Sequence, residues 1–509
     1  MQKKLQQITD YLRQKVQIEH FVALDTLFDE LKVLLAASPE AAAAVENYFI
    51  HFLQTTPVHD LYFLYLSSAL LKLFPRARYI DLLANAALNS RLLSVQNREF
   101  LCYQLNAHLF RYPEIKKYIN TALLDQLYQC VLTALRAATH LTPVPKEARN
   151  PNRVVVMTPN FLSERHAPTH STLERSYLLK TLGGLDVHII STTEGTSTTG
   201  RLPLYQGYSI ANKVDAYTGS HDYVWHGEHF PLCQPEGSIN TPAVLQQLLD
   251  YVTALAPYYI LYVGGRSYVA DLLNDYCPVV TVSTVFSTIP SCNTAFAMVG
   301  RKVTEEERAL HTAKIIEVPF SFELSEKKRT HTRAELHIPE DAFVMAVVGN
   351  RLDSDLTDEF YDLLESVEHG FLLLLGDYPG YEQLFSKHSW LAERSAFLGY
   401  VDDVIGILEC ADLYVNPHRL GGGFSVIEAF HAGIPAVSFS YGDVAVAAGA
   451  EFCVADSAEL LATIRRYQND PEFYQSQLAL ARKREAEITN GAPFYEEGIK
   501  KLLDSEHFY

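Results

Sequence analysis

Asn416-Pro-His-Arg-Leu-Gly-Gly-Gly-Phe-Ser-Val-Ile-Glu-Ala-Phe-His-Ala-Gly-Ile-Pro435 is the stretch whose reading decides the fold. Leu413-Tyr-Val415 before it has the composition of a strand end. Gly421, Gly422 and Gly423 let a ligand approach the backbone with no Cβ in the way. A helix is expected over 424–432, stopped by Gly433, with Pro435 leading into a strand at Ala436-Val-Ser-Phe439. The free N–H groups at such a helix start, together with its dipole, make a site for a diphosphate. Glu428 lies about one turn in, where a carboxylate can accept from two vicinal ribose hydroxyls. An ordinary αβ unit with a tight turn explains Gly-Gly-Gly alone equally well, so the neighbouring sequence decides.

Phe397-Leu-Gly-Tyr-Val-Asp-Asp403 stands just upstream and precedes a helix ending at Ala411-Asp412. The whole run resembles the sugar-nucleotide half of GT-B glycosyltransferases, above all family 4, where a Phe-x-Gly-x-Val segment borders the base pocket. It is similar also to O-GlcNAc transferases and to cytoplasmic adhesin glucosyltransferases. In those, an acidic residue followed by an Ala-Gly-x-Pro turn stands where Glu428 to Pro435 stand here. The resemblance covers about 340–480. It implies that Tyr400 and Val401 border the base, that Gly421, Gly422, Gly423, Phe424 and Ser425 meet the diphosphate, and that Glu428 holds the ribose.

Gly349-Asn350-Arg351 lies where the first strand of this second sheet ends, the ligand-bearing edge of an open α/β sheet. Family 4 places an arginine and then a lysine here, both facing the diphosphate. Arg351, with Asn350 beside it, matches the arginine and is the expected catalytic cation. A guanidinium fits phosphate geometry and neutralises the leaving group as the glycosidic bond breaks. The lysine is missing, because Leu352, Asp353, Ser354, Asp355 and Leu356 follow; Arg419 beside the glycine loop is the expected replacement. Family 4 also has a glutamate eight residues before the position of Glu428, which is Leu420 here. These departures leave the stereochemistry open. They also feed a second reading, a degenerate subunit that recruits or stabilises a partner glycosyltransferase. Asp353-Ser-Asp355 matches the Asp-x-Asp metal motif of the GT-A architecture in form only. The two-sheet pattern makes a solvated, acid-rich helix start the expected role, with no metal.

At 509 residues the chain exceeds one core, and about two to four domains are expected. Lys and Arg total 42 against 60 Asp and Glu, a net charge of −18. That disfavours nucleic acid as a partner, and docking on anionic lipid through a broad basic face. Seven cysteines are scattered with no C-x-x-C pair, and Met1-Gln-Lys-Lys-Leu-Gln-Gln lacks the apolar core of a signal peptide. Phe371-Leu-Leu-Leu-Leu375 is far too short to span a membrane. The expectation is a cytoplasmic protein with reduced thiols and no membrane span, its oligomeric state unassigned.

Residues 1–142 carry helical periodicity, as in Leu24, Leu27, Phe28, Leu31 and Leu34 along one face, and predict about seven helices. Ser38-Pro-Glu40 predicts a helix start capped by Ser38. Tyr48, Tyr62, Tyr65, Tyr103, Tyr112, Tyr118 and Tyr128 are expected in the helix–helix core, an acceptor groove being the alternative. The linker Thr142 to Asn152 gives way to Arg153-Val-Val-Val-Met-Thr158, a strand apolar on both faces. A loop over 159–169, a helix over 171–182, Gly183-Gly184 and the strand Val187-His-Ile-Ile190 complete a βαβ unit. This unit looks like the first of a GT-B N-terminal half. His170 and Ser171 begin its helix, and adhesin glucosyltransferases resemble this with a His-Ser pair. A neutral imidazole there would take a proton from an attacking hydroxyl or amide. A hydrogen-bonded loop histidine is the plain alternative for His170, and more so for His166. Gly264-Gly265 ends a later strand, with Ser267 as the cap of the next helix. Residues 320–338 read as the connection between the halves, and a last helix is predicted near 495–503.

The expected class is therefore α/β GT-B. Two Rossmann-like doubly wound domains lie at 151–325 (acceptor side) and 340–480 (nucleotide-sugar side), after an all-helical domain at 1–142. A C-terminal helix within 481–509 crosses back in GT-B enzymes. The resemblance implies a metal-independent transferase without cofactor, moving a hexose from a UDP-sugar, UDP-glucose by type, to a protein or protein-linked glycan. A GT-B epimerase or phosphorylase keeps the fold and changes the reaction. Phosphorylases need a lysine in the second half, and the segment around Lys387 is unlike theirs. The helical domain is expected to recognise an acceptor or partner, the alternative being that it covers apolar surface of the first half.

Overall fold

The computed structural model describes residues 1–164, 166–194, 202–208, 213–285, 288–290 and 293–503. Cys292 and residues 504–509 lie outside them. Helices open the chain: α1 (Gln2–Leu12), α2 (Ile18–Ala37), α3 (Ala42–Thr55), α4 (Asp60–Leu73), α5 (Ala77–Asn89), α6 (Val95–Arg111) and α7 (Thr121–Ala137). Ser38 is not a side-chain cap; a 3-10 turn, Pro39–Ala41, follows it and α3 begins only at Ala42. Tyr62, Tyr65 and Tyr128 are buried and fill the core, whereas Tyr118 is exposed.

These helices are a layer of the first half, and not a body of their own. One contiguous apolar core runs from Leu5 and Ile8 through Phe28, Phe49 and Leu83 to Val155, Leu249, Tyr262 and Val279. The expected linker is a strap held to that half, with Val144 N donating to Tyr276 O at 3.4 Å. A return segment also threads into the helices: Tyr205 is fully buried, its N–H donates to Ser68 Oγ (2.9 Å) and its hydroxyl to Asp29 (3.0 Å).

The first sheet comprises β1 (Asn150–Thr158), β2 (Asp186–Ser191), β3 (Gly219–Trp225), β4 (Glu228–Gln234), β5 (Pro257–Val263), β6 (Val279–Val282), β7 (Phe296–Val299) and β8 (Lys314–Glu317). Its helices are α8 (Ala167–Thr181), α9 (Pro242–Leu255), α10 (Tyr268–Leu273) and α11 (Glu305–Ala309). The order is β3-β4-β2-β1-β5-β6-β7-β8, parallel except for the β3–β4 hairpin. Val154 to Met157 of β1 are fully buried because helices cover both faces, which is why the strand reads as a continuous apolar run.

The second sheet comprises β9 (Phe343–Gly349), β10 (Gly370–Gly376), β11 (Ser395–Phe397), β12 (Leu413–Val415), β13 (Ala436–Phe439) and β14 (Cys453–Val454). Around it lie α12 (Leu352–Asp355), α13 (Asp358–Glu365), α14 (Leu391–Arg394), α15 (Val404–Leu408), α16 (Gly423–His431), α17 (Gly442–Ala448), α18 (Ser457–Asn469) and α19 (Pro471–Ile488). The order β11-β10-β9-β12-β13-β14 places the reversal of sheet growth between β9 and β12. A crevice opens beyond the carboxyl ends of those two strands.

Two passages of chain join the halves. In the connection, Phe320 packs on the first half's core on the other face of its sheet, with Val154 and Val156, and Phe322 packs on the core of the second half. After α19 the chain returns through a π turn, Phe494–Ile499, into α20 (Lys500–Leu503), and Phe494, Ile499 and Leu502 join the core that holds Phe320. A Cβ on Gly183 would sit 2.8 Å from the Tyr495 ring, so glycine permits that return. Arg175, 1% exposed, lies against both passages, 5.1 Å from the Phe320 ring centroid and 5.0 Å from that of Phe494.

Candidate functional site

The site grows from the crevice between β9 and β12. Leaving β12, the chain turns at Asn416 and runs through the three glycines into α16. Gly422 has φ +106°, a left-handed conformation that favours glycine, and as N-cap of α16 it brings no side chain to the first N–H groups. The loop is fixed from beneath. Arg419, 5% exposed, donates from Nε to Asn416 Oδ1 (2.8 Å) and from Nη2 to Val348 O (2.8 Å) and Tyr414 Oη (2.9 Å). Its Nη1 faces Asp355 at 3.5 Å. Arg419, expected from the sequence to replace the missing lysine on a diphosphate, thus braces the loop through these contacts. Ser425 is likewise internal: its hydroxyl meets Tyr414 Oη and Gly422 O, each at 2.8 Å.

Two charged groups remain without a protein hydrogen bond among the described residues. Arg351, at the end of β9, has its guanidinium carbon 4.6 Å from the Phe110 ring centroid. A Cβ on Gly421 would lie 3.7 Å from an Arg351 Nη2, so this cation stands beside the glycine loop. Glu428, 8% exposed, lies on α16, and burial pushes its pKa up to about 8. A carboxyl so desolvated lacks the protein donors that would hold its charge, and ligand hydroxyls would supply them. Asn350 is exposed at the strand end, Tyr400 is 59% exposed at the rim, and Val401 packs against the second core.

Asp353 is exposed in the first turn of α12, as expected of a solvated helix start, whereas Asp355 departs from that expectation. Asp353 faces Arg111 of α6 at 3.4 Å, and Asp355 faces Arg419 with only 12% of its side chain exposed. Among the described residues, no group of three or more His, Cys, Asp or Glu is arranged to hold a metal.

Across the cleft, His170 sits in the first turn of α8. Its Nε2 donates to Glu323 O at 2.9 Å, which leaves the Nδ1 lone pair as the acceptor in the neutral ring. Its ring meets Trp225 (5.9 Å) and Phe424 (5.8 Å) edge-on, so it joins the first half to the residue that follows the glycines. Phe424 in turn packs on Phe322 of the connection at 5.7 Å. His166 is a loop fixture: its Nδ1 lies 3.0 Å from Thr169 Oγ1, and burial lowers its pKa. Gly264 closes β5 under the Tyr262 ring, and Ser267 caps α10 by accepting from Ala270 N at 3.0 Å.

Sequence reasoning missed Phe110 and Arg111, which reach the second half from the helical layer. Nothing in the helical period of α6 marks its last turn as a neighbour of β9.

Residues 352–470 match the family model described as glycosyl transferases group 1. The lipopolysaccharide core biosynthesis glycosyltransferase LpsD of Rhizobium meliloti (strain 1021) is 29% identical over 172 residues, covering 32% of this chain and 50% of that protein. The chain thus spans about half the length of this curated relative. A mutant of the Thermobaculum terrenum O-GlcNAc transferase superimposes with a TM-score of 0.54 at 12% identity, covering 100% of this chain and 97% of that one. Anabaena HepE in complex with UDP matches with a TM-score of 0.46 at 14% identity, covering 69% of this chain and 100% of its own. The chain has the GT-B fold, and its C-terminal region carries a group 1 glycosyl transferase domain.

Proposed function

We propose that this protein transfers a hexose, glucose by type, from a UDP-sugar to a hydroxyl or amide of a protein or protein-linked glycan, without a metal. The observation that carries the reading is the pair Arg351 and Glu428, without a hydrogen bond among the described residues, flanking the glycine-capped start of α16 at the reversal of the second sheet. The N–H groups of Gly423 and Phe424 and the guanidinium of Arg351 suit a diphosphate, and Glu428 suits the ribose diol. In the reaction the bond between the anomeric carbon and the β-phosphate oxygen breaks, with its electron pair staying on that oxygen. The acceptor oxygen or nitrogen bonds to the carbon and gives up its proton. Arg351 would hold the charge that gathers on the β-phosphate, and Nδ1 of His170 would take the acceptor proton.

The Glu428 assignment has a pH signature. The ionised carboxylate is the form that accepts two hydroxyls, so a pKa of about 8 makes binding release a proton at neutral pH. UDP-glucose affinity should rise from pH 6 to 8, by up to about tenfold per unit, and level off above. Calorimetry on Glu428→Gln should give a flat profile. A flat profile in the parent protein would remove Glu428 from the ribose site.

Turnover should survive EDTA, since Asp353 and Asp355 both face arginines. If chelation abolishes activity and Mn²⁺ restores it, those two aspartates must be reassigned. A second reading is favoured by the engagement of Arg419 with the protein and by Leu420 in place of a carboxylate: a subunit that binds UDP-sugar and supports a partner enzyme. Release of free sugar from a UDP-hexose panel in the absence of acceptor separates the two, because a non-catalytic subunit releases none.

A further inference from the structure

The geometry points to the helical layer as part of the donor site, with Phe110 as the residue that positions Arg351. This rests on the donor-site reading above. Arg351 is a long, flexible side chain with no hydrogen bond to any described residue, and its guanidinium carbon lies over the ring of Phe110 at 4.6 Å. Phe110 is 41% exposed, so its place at the end of α6 owes little to core packing. Cation–π attraction to a ring uses none of the guanidinium's N–H donors, which stay available to a phosphate. One of those nitrogens lies beside Gly421. The next residue of α6 reinforces the alignment, since Arg111 faces Asp353, two positions after Arg351, at 3.4 Å.

The chain beyond α6 continues along the same mouth. Glu114, in the turn Pro113–Tyr118, lies close enough to Tyr441 to act on its hydroxyl electrostatically. Tyr441 stacks on His418 of the loop at 4.5 Å with the rings 5° from parallel. The end of α6 and its following turn thus border the donor loop along its length. Phe110 acts through Arg351, and it is a positioning residue.

The test is UDP binding to the full-length protein by calorimetry, with thermal unfolding recorded alongside. Phe110→Leu keeps the apolar bulk and loses the aromatic face; Phe110→Trp keeps the face. Phe110→Leu should weaken UDP binding about three- to tenfold, and Phe110→Trp should restore it. In an Arg351→Ala background, Phe110→Leu should add nothing further. The proposal is overturned if Phe110→Leu binds UDP as the parent does while Arg351→Ala does not; the donor site then stands and the positioning role falls. Equal losses from Phe110→Leu in both backgrounds, or a loss that tracks a lowered unfolding temperature, would mark a general structural effect and overturn it too. Unchanged UDP binding in Arg351→Ala would remove the donor-site reading itself, and the proposal with it.

Discussion

A chain beginning at Asn150 is expected to aggregate or to lack cooperative unfolding. Removing the helices strips one side of a shared core, leaving Leu249, Val269, Leu272 and Tyr268 against solvent. Each large apolar side chain exposed costs about 1.5–3 kcal/mol, so a handful exceeds the roughly 5–15 kcal/mol by which a domain is held folded. Polar partners are lost together with them. Tyr128 donates to the buried Asp271 at 2.7 Å, Asn240 donates to the buried Glu99 at 2.7 Å, and Arg266 reaches Asp125 at 2.6 Å. Size-exclusion chromatography and circular dichroism of the truncated chain check this. A monodisperse, folded product that binds UDP would show that the layer is dispensable for folding and would restore the recognition role read from the sequence.

Arg351→Ala should lower turnover about 10²- to 10³-fold, the usual cost of removing one donor from a developing oxyanion. The size of the effect follows from the engagement of the neighbouring guanidiniums: Arg419 is bonded to Asn416, Val348 O and Tyr414, and Arg111 faces Asp353. UDP affinity should fall about tenfold in parallel. Arg351→Lys should recover part of the affinity but less of the rate, because an ammonium neither stacks in the same plane nor offers two donors side by side. Initial rates with saturating UDP-sugar separate the two terms. A rate within about twofold of the parent for Arg351→Ala would show that the leaving diphosphate is stabilised elsewhere.

Much of the second half was legible in the sequence because its strands are aliphatic runs and its glycines stand between a strand and a helix. Periodicity had less to work on in β7, β11 and β14, with 4, 3 and 2 residues. Charge was the harder matter. Arg351 and Arg419 look alike in the chain, and how a guanidinium is engaged depends on groups such as Val348 O, brought from β9, and Tyr414 Oη of β12. The same holds for Asp355, which read as solvated and is paired with Arg419. The helical region was recognisable as helices, but a period reports that a face is apolar and not what covers it. The insertion of Tyr205 among Phe28 and Tyr65, at ring distances of 5.3 and 6.4 Å, left no pattern to read.

Two passages of chain join the halves, one at Phe320 and Phe322, the other at Ile488 to Phe494, and Phe322 N is bonded to Ile488 O at 2.9 Å. A single tether would leave one half free to swivel in any direction about the other. Two tethers pinned side by side remove most of that freedom and leave a rotation about the line through them, as a spine does for a cover. Arg175 sits on that line between Phe320 and Phe494, where displacement is smallest and a buried charge stays buried. His170, bonded to Glu323 O, and Phe424, packed on Phe322, meet beside the same connection, so the contact between the two halves lies close to the spine.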